Sequence, residues 1–141
     1  MPPKEEVYRG IYDRMSRLVN QLEGNRKVFP LHNLPPLVVE RVEDNSYKIG
    51  QYYEISPGEL LALPEMLVLV DHERQRGEAL YYRHDSLGVF NEVYIQRNGK
   101  YFVDLKEQNQ QNRFLEQWLI NMDQRGLFSI PEEEAASIHQ D

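Results

Sequence analysis

Residues 89–107 read VFNEVYIQRNGKYFVDLKE. Val89, Asn91, Val93 and Ile95 alternate there with Phe90, Glu92, Tyr94 and Gln96, the period of two that sends successive side chains to opposite faces of a strand. Asn98-Gly99 follows, and both residues tolerate the positive φ of a type I′ turn, so the chain is expected to reverse and pair back through residues 100–103. Asp104-x-x-Glu107 then matches a capping box, in which an acidic N-cap accepts from the amides of the first helical turn. Strand, hairpin and helix thus follow one another within one short stretch.

The helix that begins there places Phe114, Leu115, Trp118, Leu119 and Met122 on one face, and Gly126 supplies a stop. Phe114, Leu115, Trp118 and Leu119 are expected in the core, Trp118 as an anchor. At the other end, residues 5–23 carry Val7, Ile11, Met15, Leu18 and Leu22 at steps of three and four, widened by Tyr8, Tyr12 and Val19, before Gly24 closes the helix. Its polar face carries both signs and no basic cluster. Core packing, not a membrane surface, is the use this stripe suggests.

Between the helices the pattern is that of strands. Residues 29–36 hold three prolines and are read as a connector. Residues 37–43 and 47–55 alternate as strands around the turn Asp44-Asn45-Ser46, with Tyr47, Ile49, Gln51, Tyr53 and Ile55 on one face of the second. Ser56-Pro57-Gly58-Glu59 could cap a single helical turn through Leu63, or could be a loop. Residues 66–71 form an apolar run of strand length, 72–77 a polar connection and 78–83 a return strand. The expected architecture is α+β: an N-terminal helix, an antiparallel sheet of about five or six strands in meander order, and a C-terminal helix, both helices packed on one sheet face.

The chain has 141 residues, 40% of them hydrophobic and 28% charged, with a net charge of -7. That suits one domain, expected over residues 1–130. Four of the excess negative charges, Glu132, Glu133, Glu134 and Asp141, fall in residues 131–141 without an opposing Lys or Arg, and this acidic tail is expected to be disordered. With 16 basic against 23 acidic residues, the footprint of a nucleic-acid binder is absent on balance. There is no cysteine, hence no disulfide framework or thiolate site, and no apolar run approaches the roughly 20 residues of a membrane span. We expect a cytoplasmic protein that engages neither nucleic acid nor membrane.

Conventional catalytic patterns are missing. His72 and His84 are flanked by carboxylates but would sit at opposite ends of one hairpin, roughly 20 Å apart at the usual rise of a strand, too far to share a zinc ion. None of the serines lies in a Gly-x-Ser-x-Gly elbow, there is no threonine, and no phosphate-cradling glycine motif occurs. No metal, cofactor or enzymatic activity is expected.

Tyrosine is in excess, at nine residues. Tyr52-Tyr53 and Tyr81-Tyr82 are adjacent pairs within strands, so alternation sends one ring of each pair away from the core. Tyr52, Tyr81 and Tyr82 are therefore the candidate binding residues. A plainer account is that aromatic residues suit strands.

The segment Gln110-Gln-Asn112-Arg-Phe114-Leu115-Glu-Gln-Trp118-Leu119 resembles the C-terminal signature of the YqiB-like family, Gln-x-Asn-x-Phe-Leu-x-x-Trp-Leu, at all six specified positions. Leu63-Pro64-x-Met66-x-Val68 and the helix bearing Leu18 and Leu22 are weaker echoes. Where that family has Tyr-His-Asp and Tyr-Pro-Asn, this chain has Val70-Asp71-His72 and Asn98-Gly99-Lys100, as a distant branch would. The resemblance implies a small bacterial protein and supplies no activity. Three functions remain open: a non-catalytic binding or adaptor module with a protein partner or a second copy as a homodimer; a chaperone of the type III secretion kind; and a small enzyme with a pocket between sheet and helices.

Overall fold

A computed structural model describes residues 4–127. Helix α1, Lys4–Val19, is followed by strands β1 Arg26–Leu31, β2 Leu34–Glu43, β3 Ser46–Ser56, β4 Glu59–Asp71, β5 Arg76–His84 and β6 Val89–Glu92, then β7 Tyr94–Arg97, β8 Lys100–Val103 and helix α2, Leu105–Gln124. Strands β1 to β6 form one antiparallel sheet in sequence order, and β7 and β8 form a separate two-stranded sheet. The expected α+β meander between two helices is present.

The strand pairing gives the sheet two distinct faces. Phe29, Leu37, Val39, Ile49, Met66, Val68, Val70 and Ala79 join Ile11, Met15 and Leu18 of α1 and Leu115, Trp118, Leu119 and Met122 of α2 in one core. Leu22 packs only partly against it. Gly77 lets α1 come close, because a Cβ there would stand 2.6 Å from Ile11 Cγ2 and 3.0 Å from the Tyr12 amide nitrogen. Asn112, 3% exposed, docks α2 by accepting the Ala79 amide at 2.7 Å through its side-chain oxygen.

Several expectations need correction. Residues 29–36 are not a connector: β1 runs to Leu31, and Asn33, at φ 60, turns the chain into β2. The prolines fit because β1 is an edge strand, Pro30 sits at a register shift, and Pro35 and Pro36 precede Leu37, the first β2 residue paired with β3. Residues 56–63 are not a helix. Pro57 and Gly58, the latter at φ 79, make a two-residue turn of the kind a Pro-Gly pair favours, and β4 begins at Glu59. Residues 89–96 are not one strand either, since the chain leaves the main sheet at Val93 between β6 and β7. Tyr53 and Ile55 are exposed, whereas Tyr47, Ile49 and Gln51 on the same expected face are buried. Phe114, expected in the core, is 41% exposed. The readings for residues 131–141, including the disordered acidic tail, lie outside the described residues.

Candidate functional site

The face of the sheet turned away from the helices carries a second set of side chains, brought together by register. Val38 pairs with Gly50, Gly50 with Glu65, and Glu65 with Arg83, while the neighbouring row runs from Arg26 through Glu40 to Lys48. These rows line a pocket of about 380 Å³. Its floor is Glu65, only 4% exposed. Tyr52 donates its hydroxyl to Glu65 Oε1 and Tyr81 donates to Oε2, both at 2.6 Å. Tyr52 reaches that carboxylate by folding over Gly50, where a Cβ would lie 2.5 Å from the phenol oxygen.

Arg83 Nη1 stands 3.8 Å from Glu65, but its closer partner is Asp85, which accepts from Nε at 2.8 Å and Nη2 at 3.2 Å. Asp85 also accepts the Ala62 amide at 2.7 Å. The Arg83 hydrogen bond, then that amide, hold the Asp85 carboxyl below the usual carboxylate range. Burial, followed by the hydrogen bond to Glu65, pushes both Tyr52 and Tyr81 far above the ordinary tyrosine value. The phenols therefore stay protonated donors and each carboxylate oxygen already holds one of them. Such a cluster orders a surface better than it transfers protons.

Tyr82 faces the other way. Its ring meets Phe114 edge-on at 5.3 Å, and Phe114 lies 5.9 Å from Trp118. Tyr82, Val89, Asn91, Gln110, Gln111 and Phe114 border a smaller pocket of about 210 Å³ at the seam between β6 and α2. Gln111 crosses that seam by donating to the Asn91 carbonyl at 2.8 Å and to Glu107 Oε1 at 3.0 Å. The segment 110–119 thus does two jobs: Asn112, Leu115, Trp118 and Leu119 seat the helix, and Gln110 and Phe114 edge a groove.

The β7–β8 hairpin is the third surface. It is rooted where Val93 accepts the Asp104 amide at 2.8 Å and donates its own amide to Leu80 at 3.0 Å. Asp104 also caps α2 by accepting the Glu107 amide at 3.0 Å. Tyr94 ties the base down by donating to Glu78 at 2.8 Å. Asn98 and Gly99 both have positive φ, as the type I′ turn requires. Beyond the base the side chains are bare: Tyr101 is 72% exposed and Phe102 52%. Ile95 pairs with Phe102 and Arg97 with Lys100, so one hairpin face is apolar at its middle and basic at its tip.

Of the sequence candidates, Tyr52 and Tyr81 meet on one carboxylate and Tyr82 belongs to a different surface. All three rings are partly buried, and the more exposed aromatic residues are Tyr53, Phe90, Tyr101 and Phe102. Sequence reasoning missed Glu65, which only strand pairing brings under both phenols. It also missed Tyr101-Phe102, whose signal was local: two aromatic residues beside an Asn-Gly turn on a short strand. No helix among the described residues is long and apolar enough to cross a membrane.

Residues 13–128 match the model of one protein family, described as a domain of unknown function, DUF6908. No curated protein and no solved structure matches the chain.

Proposed function

Because the chain belongs to the DUF6908 family of unknown function, we propose from its own surfaces that it is a non-catalytic protein-binding module that engages its partner through the β7–β8 hairpin. The observation that carries this reading is the exposure of Tyr101 and Phe102 on a sheet that has two strands among the described residues. An isolated hairpin is marginal in water, and here each face carries an exposed aromatic side chain, Phe102 beside Ile95 on one and Tyr101 beside Gln96 on the other, along open backbone edges of the kind a docking strand covers. The partner is an extended segment with apolar side chains for Ile95 and Phe102 and acidic residues for Arg97 and Lys100.

The enzyme alternative has weaker support, since the Glu65 cluster with Tyr52 and Tyr81 is internally satisfied. The chaperone alternative loses the helix that residues 56–63 would have supplied. The signature on α2 keeps the likeness to YqiB-like proteins, and with it a bacterial cytoplasmic setting, within this proposal.

The test is a photo-crosslinking residue at Phe102, compared with one at Glu54 on the exposed end of β3, in cells making the full chain. A single polypeptide captured at Phe102 and not at Glu54 supports the reading. Equal capture at both positions, or none at either, overturns it. Capture of a second copy of the chain assigns the hairpin to self-association.

A further inference from the structure

We propose that the pocket on the helix-free face binds a small organic carboxylate with an apolar body. Its lining is cationic in a protein of net charge -7: Arg26, Lys48 and Arg83 outnumber Glu40 and Glu65. The acids are already engaged. Glu65 holds the hydroxyls of Tyr52 and Tyr81, and Glu40 pairs with Lys48 at 3.5 Å. Arg83 is held by Asp85. Arg26 has no ion pair with any described residue, so its planar guanidinium is available to a planar anion.

Val38, Leu60 and Ala62 supply the apolar side of the same pocket, and Leu60 is half exposed. A volume of about 380 Å³ lies within the usual range for small-molecule sites, where apolar walls give affinity and a few polar groups give orientation. The charge balance selects between anions. With Lys48 paired to Glu40 and Arg83 to Asp85, Arg26 is the lining cation left without a carboxylate among the described residues, which gives one negative charge a partner and a second none and so favours a carboxylate over a phosphate dianion.

The site is also pre-built. Gly50 leaves space for the Tyr52 ring, and the two phenols each occupy one Glu65 oxygen, which fixes the carboxylate at the pocket floor. Nothing here depends on the hairpin, because the lining residues come from the six-stranded sheet.

The experiment is amide chemical-shift titration of the full chain with hexanoate, benzoate, acetate and inorganic phosphate. Hexanoate or benzoate should shift the amides of Val38, Gly50, Leu60 and Glu65 saturably, and more tightly than acetate, because acetate lacks the apolar body. Phosphate should bind more weakly than either. Arg26→Gln, an exposed change that the fold tolerates, should weaken hexanoate binding about threefold to fivefold. Leu60→Ser should weaken hexanoate and leave acetate unchanged. No saturable shift at these residues, phosphate binding more tightly than hexanoate, or shifts indifferent to both Arg26→Gln and Leu60→Ser would each overturn the proposal.

Discussion

Tyr52 donates a 2.6 Å hydrogen bond to Glu65 across the β3–β4 pair, and the ring that does so lies directly over Gly50. Tyr81 makes the matching bond to the other carboxylate oxygen from β5. Three neighbouring strands are therefore joined by side chains on the face that no helix covers. Buried polar groups tied together in this way specify register as well as stability.

The same arrangement makes stability fall in alkali. Tyrosine in the unfolded chain loses its proton near 10.0, whereas folded Tyr94 is pushed up to about 12, by burial first and then by its bond to Glu78. Tyr52 and Tyr81 are pushed further in the same direction. Below pH 10 both states keep these protons and the full stability is present. Above it the unfolded state binds fewer protons than the folded one, so stability declines from about pH 10 through about 12 and beyond. Burial raises Tyr8 and Tyr82 as well, so tyrosinate absorbance during a pH titration should show five late tyrosines among nine. Glu65→Gln should return two of them toward 10 and cost about 1–3 kcal/mol, because the amide nitrogen cannot accept the second phenol. An unchanged titration would show that Glu65 does not hold them.

Gly50→Ala tests the packing that lets Tyr52 reach its partner. A methyl group there meets the Tyr52 ring at 2.5 to 2.8 Å, so the ring must leave Glu65 or the strands must part. The expected loss is about 1–3 kcal/mol, read from the urea midpoint. Tyr52→Ala in the same chain should remove most of the clash, making the double variant less destabilised than the sum of the singles. Strict additivity would disconnect the two positions.

These residues show what the sequence can and cannot disclose. The helices were legible because Leu18, Leu115, Trp118 and Leu119 recur with helical period, and the β7–β8 turn because Asn98-Gly99 has few other uses. The β1–β2 hairpin was illegible because prolines argue against strands in general, and the objection lifts only because Pro30 lies on edge strand β1 and Pro35 and Pro36 precede the part of β2 that pairs with β3. Glu65 was hidden for a different reason. Its partners are 13 and 16 residues away, and a register shift between Leu67 and Val68 contributes to which residue faces which. Phe114 was misplaced because helical period places a side chain on a face but does not say how far the covering sheet extends.

Asn112→Ala should destabilise the fold by about 1–3 kcal/mol, since it orphans the buried Ala79 amide. Asn112→Asp restores an acceptor and should recover part of the loss at neutral pH. Hydrogen exchange offers the sharper check: the Ala79 amide should lose protection in the alanine variant before the amides of β3 do. Equal loss across the sheet would make Asn112 a general packing residue instead of a specific acceptor.

Gly77→Ala should be costlier than a typical surface glycine change, because the added carbon meets the α1 backbone at the Tyr12 nitrogen as well as Ile11. A flexible side chain can step aside, but a helix backbone moves as a unit. About 2 kcal/mol or more is expected from thermal or urea unfolding. Shortening Ile11 to alanine in the same chain should not recover it. Recovery would place the conflict with the side chain alone.

The hairpin makes the opposite prediction, and it separates a functional surface from a structural one. Tyr101→Ser and Phe102→Ser remove apolar groups that are 72% and 52% exposed, so neither change opens a cavity. Stability should stay within about 0.5 kcal/mol of the parent chain. Partner capture at the hairpin should nevertheless be lost, because aromatic anchors carry a disproportionate share of binding energy. Val93→Ser makes the contrast sharp: Val93 is fully buried at the hairpin root, and the change should unfold the arm and lower stability together. If the two exposed changes destabilise the chain as much as Val93→Ser does, the hairpin aromatics serve the fold and the binding role assigned to them is wrong.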